Sequence, residues 1–240
     1  MRVPMGGFLN GTRSFRKGYY AVLHILEGDF LKKKVIVLIS ACILIAVLTA
    51  LGGLCRGVGS LWLRVLLLAI VNLCNAAVAL VAMKITGIRA DIDTKNLKQF
   101  AIGAVIALSL SLVLAFIPAL CGFSLVGSHK DFSWFGVIYP FLNYFLIIGP
   151  VEELVFRMYI QETMVSFFGR KKYFGVIIAA FLFGLWHLIN GSWLQVLFTF
   201  GIGLVFGFCK HLIKDCKYLG LSFGHGLYDF LNEIVRLFIV

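Results

Sequence analysis

A chain of 240 residues that is 61% hydrophobic and only 14% charged, with a mean hydropathy of +0.98, is not an ordinary soluble domain, where about half the residues are apolar and about a quarter charged. It groups instead with multi-span helical membrane proteins. The formal net charge of +11 requires no nucleic-acid partner, because basic loops facing an anionic lipid bilayer account for it.

Residues 1–34 read as a basic cytoplasmic arm. Within it, segment 19–31 (YYAVLHILEGDFL) is too short and mixed to span and suits an interfacial helix. No cleavable signal peptide is expected, since the first long apolar run stands behind Lys32, Lys33 and Lys34 and is long enough to anchor. From there, residues 35–240 read as one membrane domain. Apolar runs predict spans at 35–53, 60–83, 100–121, 132–160, 173–190, 193–212 and 218–239. The runs lack the alternation of an outer-membrane barrel, and in lipid only helices or closed barrels satisfy their backbone groups. The expected fold is all-α, a polytopic membrane helix bundle of about seven transmembrane helices.

Orientation follows from where Lys and Arg fall. The N-terminal arm carries seven of them, and alternate loops carry Lys84, Arg89, Lys95 and Lys98, then Arg170 to Lys172, then Lys210, Lys214 and Lys217. The other side holds only Arg56, Lys130 and Arg236. The expectation is a multi-pass protein of the cell membrane with a cytoplasmic N-terminus.

The six cysteines include no CxxC pair, so neither a disulfide framework nor a cysteine zinc site is indicated. Gly203 and Gly207 form a GxxxG in span six, expected to permit close helix packing within the chain. The oligomeric state is left open.

Three places put ionisable groups at membrane depth, where they are costly and therefore functional candidates. They are Glu152, Glu153 and Arg157 in IIGPVEELVFRMYI, His187 in FLFGLWHLIN, and His225 with Asp229 in FGHGLYDFL. At about 1.5 Å per residue, His187 lies roughly 20 Å from the cytoplasmic face, the two Glu residues roughly 18–20 Å, and His225 and Asp229 roughly 10 and 17 Å. Non-adjacent helices thus bring polar groups to overlapping depths. Glu153 and Arg157, like His225 and Asp229, are four apart and share a helix face, whereas Glu152 is turned about 100° away. Pro150 removes a backbone hydrogen bond beside the pair and can kink the helix. Taken singly, each group has a structural reading: an ion pair, a hydrogen-bonded core histidine, a satisfied polar pair.

The patterns Glu-Glu-x-x-x-Arg at 152–157, Phe-x-x-x-His at 183–187 and His-x-x-x-Asp at 225–229 stand in order on separate hydrophobic helices. Together they resemble the CPBP family of intramembrane proteases, which groups CAAX prenyl endopeptidases with bacteriocin-processing and immunity (Abi) proteins. The resemblance covers about residues 130–235, the protease-like core. It implies hydrolysis of a peptide bond in or beside the membrane, with Glu152 as general base on a water that His187 helps to hold. It further implies His225 and position 229 as oxyanion stabilisers, with Glu153 and Arg157 in support. The family pattern often has Asn at 229; an ionised Asp229 cannot donate to an oxyanion, and could instead orient His225 by accepting its ring proton, or donate only if held protonated.

No cofactor is required by this chemistry, yet Glu152, His187 and His225 also make a two-histidine, one-carboxylate set that suits zinc. If all three bound metal, Glu153 would act as base. Two other classes compete: a non-catalytic membrane scaffold or bacteriocin-immunity protein that keeps the fold, and a proton-coupled transporter. The expected substrate is a peptide or membrane protein cleaved near the cytoplasmic side.

Overall fold

The computed structural model describes the backbone of residues 8–189 and 191–239, and side chains over 28–189 and 191–239. No strand occurs among the described residues, so the all-α expectation holds. Helix α1 runs Phe8–Cys55, α2 Leu61–Thr86 and α3 Lys98–Leu120. A long helix, α4, covers 134–168, followed by α5 (Lys172–Trp186), α6 (Trp193–Leu212) and α7 (Tyr218–Phe238). The segment expected at the interface continues α1 without a break; residues 1–7, and side chains up to position 27, lie outside the described residues.

Local chemistry sets where these helices begin and end. Ser60, Ser133 and Ser192 each stand just before a helix with the hydroxyl accepting a backbone N–H of the first turn, which satisfies a donor that the helix itself cannot. Gly87 closes α2 in the left-handed conformation at φ 71°.

Five helical stretches are long and apolar enough to cross a membrane: 28–55, 61–86, 98–120, 134–189 and 193–212. The sequence predicts seven. The difference has two physical causes. The fourth stretch is 56 residues long and turns at Gly169, φ +50°, so that α5 packs back on the end of α4. The last helix, α7, carries His225, Asp229, Asn232 and Glu233, whose polarity takes it out of the apolar class. The molecule is a multi-pass membrane protein.

Its two ends differ. Trp62, Trp134 and Trp193 stand in the first turns of α2, α4 and α6, all exposed, and the Trp62 ring meets Phe135 edge-on at 5.9 Å. Tryptophan at helix starts on one end is the pattern of an interfacial belt. The opposite end gathers the Lys-rich loops, where Lys217 pairs with Asp91 at 3.2 Å and Asp93 at 3.5 Å, and Asn96 bonds Asp215 at 2.8 Å. In that loop Cys216 is buried, and desolvation pushes its thiol up to about 12. All six cysteines are free.

Close helix approach positions the interior of α7. A Cβ on Gly103 of α3 would lie 2.1 Å from the Gly220 carbonyl oxygen, and one on Gly149 of α4 2.5 Å from that of Ser222. Only glycine lets these backbones come so near. The expected GxxxG packs inside the chain: Gly203 lies against Ala180 and Phe183, and Gly207 against Gln161 and Val176.

Candidate active site

Helix α4 changes its winding around the Glu pair. Residues Tyr144–Ile148 and Glu153–Gln161 are π-helical, separated by one α-helical turn, Gly149–Glu152. Wider i→i+5 turns of this kind occur often at functional sites. Pro150 sits in the intervening turn without an N–H to give, and its carbonyl accepts from the Tyr218 hydroxyl of α7 at 3.0 Å.

Every residue from Glu153 to Gln161 is buried. Arg157 Nε lies 3.5 Å from Glu153 Oε2, with the two side chains 1% and 0% exposed. The guanidinium also stands over the Phe183 ring at 4.4 Å, a cation–π contact that partly replaces lost hydration. A buried pair of this kind is weak evidence for stability, because desolvation offsets the attraction.

His225 is buried beside it. Its Nδ1 lies 2.8 Å from Glu153 Oε1; a carboxylate only accepts, so Nδ1–H is the donor. That bond fixes the ring and directs Nε2 elsewhere. Nε2 stands 3.6 Å from Glu152 Oε2 and 3.6 Å from Asp229 Oδ2. Glu153 is therefore hydrogen-bonded to histidine through one oxygen and faces the arginine cation through the other, at ion-pair distance without a hydrogen bond.

Glu152 faces differently, as its rotation around the helix predicts. It lines a cavity of about 360 Å³ together with His187 and Trp186. His187 Nδ1–H donates to the Phe183 carbonyl at 2.9 Å, which leaves Nε2 as the acceptor nitrogen. The Phe183 ring stands against both histidines, its centroid 4.8 Å from His187 and 6.0 Å from His225. Among the described residues that line this cavity, Glu152 is also the one that reaches His225.

Glu152, His187 and His225 suit zinc by donor type, as the sequence suggests. A carboxylate on Nδ1 of His225 leaves Nε2 turned towards Glu152 and Asp229, an arrangement compatible with a metal ligand. Among the described residues, no three His, Cys, Asp or Glu side chains are grouped as metal ligands would be. The three are right in kind and are not drawn together around an ion position in this arrangement.

Much of the cavity comes from helices that carry no motif. Asn72 and Asn75 of α2 and Thr49 near the end of α1 line it together with Glu152, and the exposed Arg56 and Gln195 form its rim. Sequence reasoning missed these residues. The available signal was the Asn72–Asn75 pair, two intramembrane amides three apart on one helix face. Arg56 and Gln195 belong to the tryptophan end, so the rim lies opposite the Lys-rich loops.

Residues 133–231 match a family model described as type II CAAX prenyl endopeptidase Rce1-like. Neither a curated protein nor a solved structure matches the chain. The matched span holds Glu152, Glu153, Arg157, His187, His225 and Asp229, and leaves out α1 and α2.

Proposed function

Because residues 133–231 belong to the CPBP family, we propose that the protein is an intramembrane endopeptidase that hydrolyses a peptide bond with a water activated by Glu152. The observation that carries this reading is the double position of Glu152, on the cavity and 3.6 Å from His225 Nε2.

In this mechanism a water sits between Glu152 and the free Nε2 of His187. Glu152 takes its proton as the oxygen attacks the peptide carbonyl, then passes the proton to the leaving amine. Charge develops on the carbonyl oxygen, where a proton on His225 Nε2 stabilises it; in a site with little water such a donor is worth more than in solution. Glu153 and Arg157 are positioning residues that hold the imidazole. Asp229 faces the same nitrogen and orients it, since an ionised carboxylate cannot itself donate to the oxyanion. The mechanism requires no metal.

The exposed Arg56 and Gln195 support access from the tryptophan end, in place of the cytoplasmic-side cleavage expected from the sequence. With the Lys-rich loops cytoplasmic, the protein sits in the cell membrane with its N-terminus inside and receives a peptide or membrane-protein segment from the other face.

The test is cleavage of a quenched-fluorescence peptide library by protein reconstituted in lipid, parent against Glu152→Ala, with zinc quantified in both. Cleavage lost in a folded variant, at unchanged and substoichiometric metal, supports the proposal. Equal cleavage by both removes Glu152 from the mechanism, and no cleavage by either returns the protein to a non-catalytic role.

A further inference from the structure

Asn75 is only 2% exposed. Its Nδ2 donates to Thr49 Oγ1 at 3.3 Å, which ties α2 to α1 and sets the plane of the amide. Its Oδ1 is buried and has no hydrogen-bond partner among the described residues, and the residue lines the same cavity as Glu152 and His187. One turn earlier, Asn72 also lines the cavity, with its own Nδ2 donating to the Leu68 carbonyl at 2.9 Å. A buried acceptor without a protein donor is expensive unless a water or a bound group supplies one. Asn75 leaves one end without a protein partner, in a residue that lines the cavity holding the proposed general base.

We infer that Asn75 is a substrate-positioning residue, whose Oδ1 accepts a backbone N–H of the peptide lying in the cavity. The inference rests on the protease reading and extends it to the half of the cavity that the family match leaves out. It also carries a selectivity. A peptide in a regular helix has its backbone N–H groups bonded internally, whereas an unwound segment presents them. Asn75 thereby favours segments that are extended at the cleavage point, such as those broken by glycine or proline.

The experiment uses full-length protein in lipid micelles carrying Glu152→Gln, which binds without turnover, and a dansyl-labelled pool of twelve-residue peptides read by anisotropy. Adding Asn75→Ala is expected to weaken binding about five- to twenty-fold, the effect of one lost hydrogen bond to a buried group. With Glu152 intact, the same substitution raises KM by a similar factor and leaves kcat within about two-fold, as expected for uniform binding. A structural role alone would lower thermal stability without separating KM from kcat.

Replacing one backbone amide at a time by an ester in the peptide gives a second readout on protein with Asn75 in place, independent of how the variant folds. One ester position should weaken binding to that protein and cause no further loss with Asn75→Ala. Unchanged affinity of a folded Asn75→Ala protein, or an ester scan without effect, overturns the inference. If parent protein cleaves the pool while Asn75 proves silent, only this inference falls. If Glu152→Gln protein binds no peptide at all, the protease reading falls with it.

Discussion

His225 Nδ1 and Glu153 Oε1, on helices 72 residues apart in sequence, are joined by a 2.8 Å hydrogen bond in the buried interior. That bond divides the labour of the adjacent glutamates. Glu153 is held between His225 and Arg157, whereas Glu152 opens on the cavity.

The two glutamates should therefore fail differently. Glu153→Ala leaves the Arg157 guanidinium buried without its carboxylate, at a cost of about 3–5 kcal/mol, and releases His225. Glu152→Ala should change stability by less than about 1 kcal/mol while lowering kcat about 10²–10⁴-fold. Thermal unfolding in micelles together with peptide cleavage separates the two. Equal destabilisation by both would show that Glu152 is as structural as its neighbour.

Asp229 stands 3.6 Å from His225 Nε2, where a neutral amide could donate to the oxyanion and a carboxylate cannot. Asp229→Asn is expected to keep kcat at or above the parent value, with a gain of up to about ten-fold. Steady-state kinetics on one cleaved peptide checks this. A large loss would show that the negative charge itself is needed to orient the imidazole.

Chelation should not silence the protein. Dialysis against EDTA and then 1,10-phenanthroline is expected to leave the cleavage rate unchanged, because Glu152, His187 and His225 are not grouped as three ligands. The rate is read before and after, with zinc measured by mass spectrometry. Loss that returns with added zinc would replace the water-activating role given to Glu152.

Helix approach at Gly103 supports the site at a distance. A Cβ there would meet the Gly220 carbonyl oxygen at 2.1 Å, so Gly103→Ala should push α7 from α3, cost about 1–3 kcal/mol and lower kcat by displacing His225. A Cβ on Gly201 would meet nothing within 4 Å, and Gly201→Ala should be neutral or slightly stabilising. Thermal unfolding and cleavage of the two variants side by side check the contrast.

Access can be read from one face at a time. With Gln195→Cys at the rim, a charged, membrane-impermeant thiol reagent applied to the outer face of intact cells should block most cleavage, and the same reagent confined to the cytoplasmic face should not. The parent protein is the control. Block only from the cytoplasmic side would restore the access expected from the charge pattern.

The membrane class, the basic loops, and the identities of Glu152, Glu153, Arg157, His187, His225 and Asp229 were legible in the sequence. Hydropathy and charge are local properties, and a charged residue in an apolar run stands out without a fold. The i,i+4 spacing also anticipated the Glu153–Arg157 and His225–Asp229 contacts, at 3.5 and 3.6 Å. Span number was less legible, because α7 buries polar groups that mask its length and α4 runs into α5 with little loss of hydropathy at the turn.

Which glutamate His225 bonds, which one faces the cavity, and which other residues line it were decided by tertiary structure alone. These contacts depend on how closely glycine backbones approach, on π-helical turns that re-aim side chains, and on the meeting of α1 and α2 with α4. None of these follows from residue order, since each is a relation between helices that the chain brings together only by folding. Asn75 shows the difference: in sequence it is one amide in an apolar helix, and in the structure it is a buried, half-satisfied group lining the same cavity as Glu152.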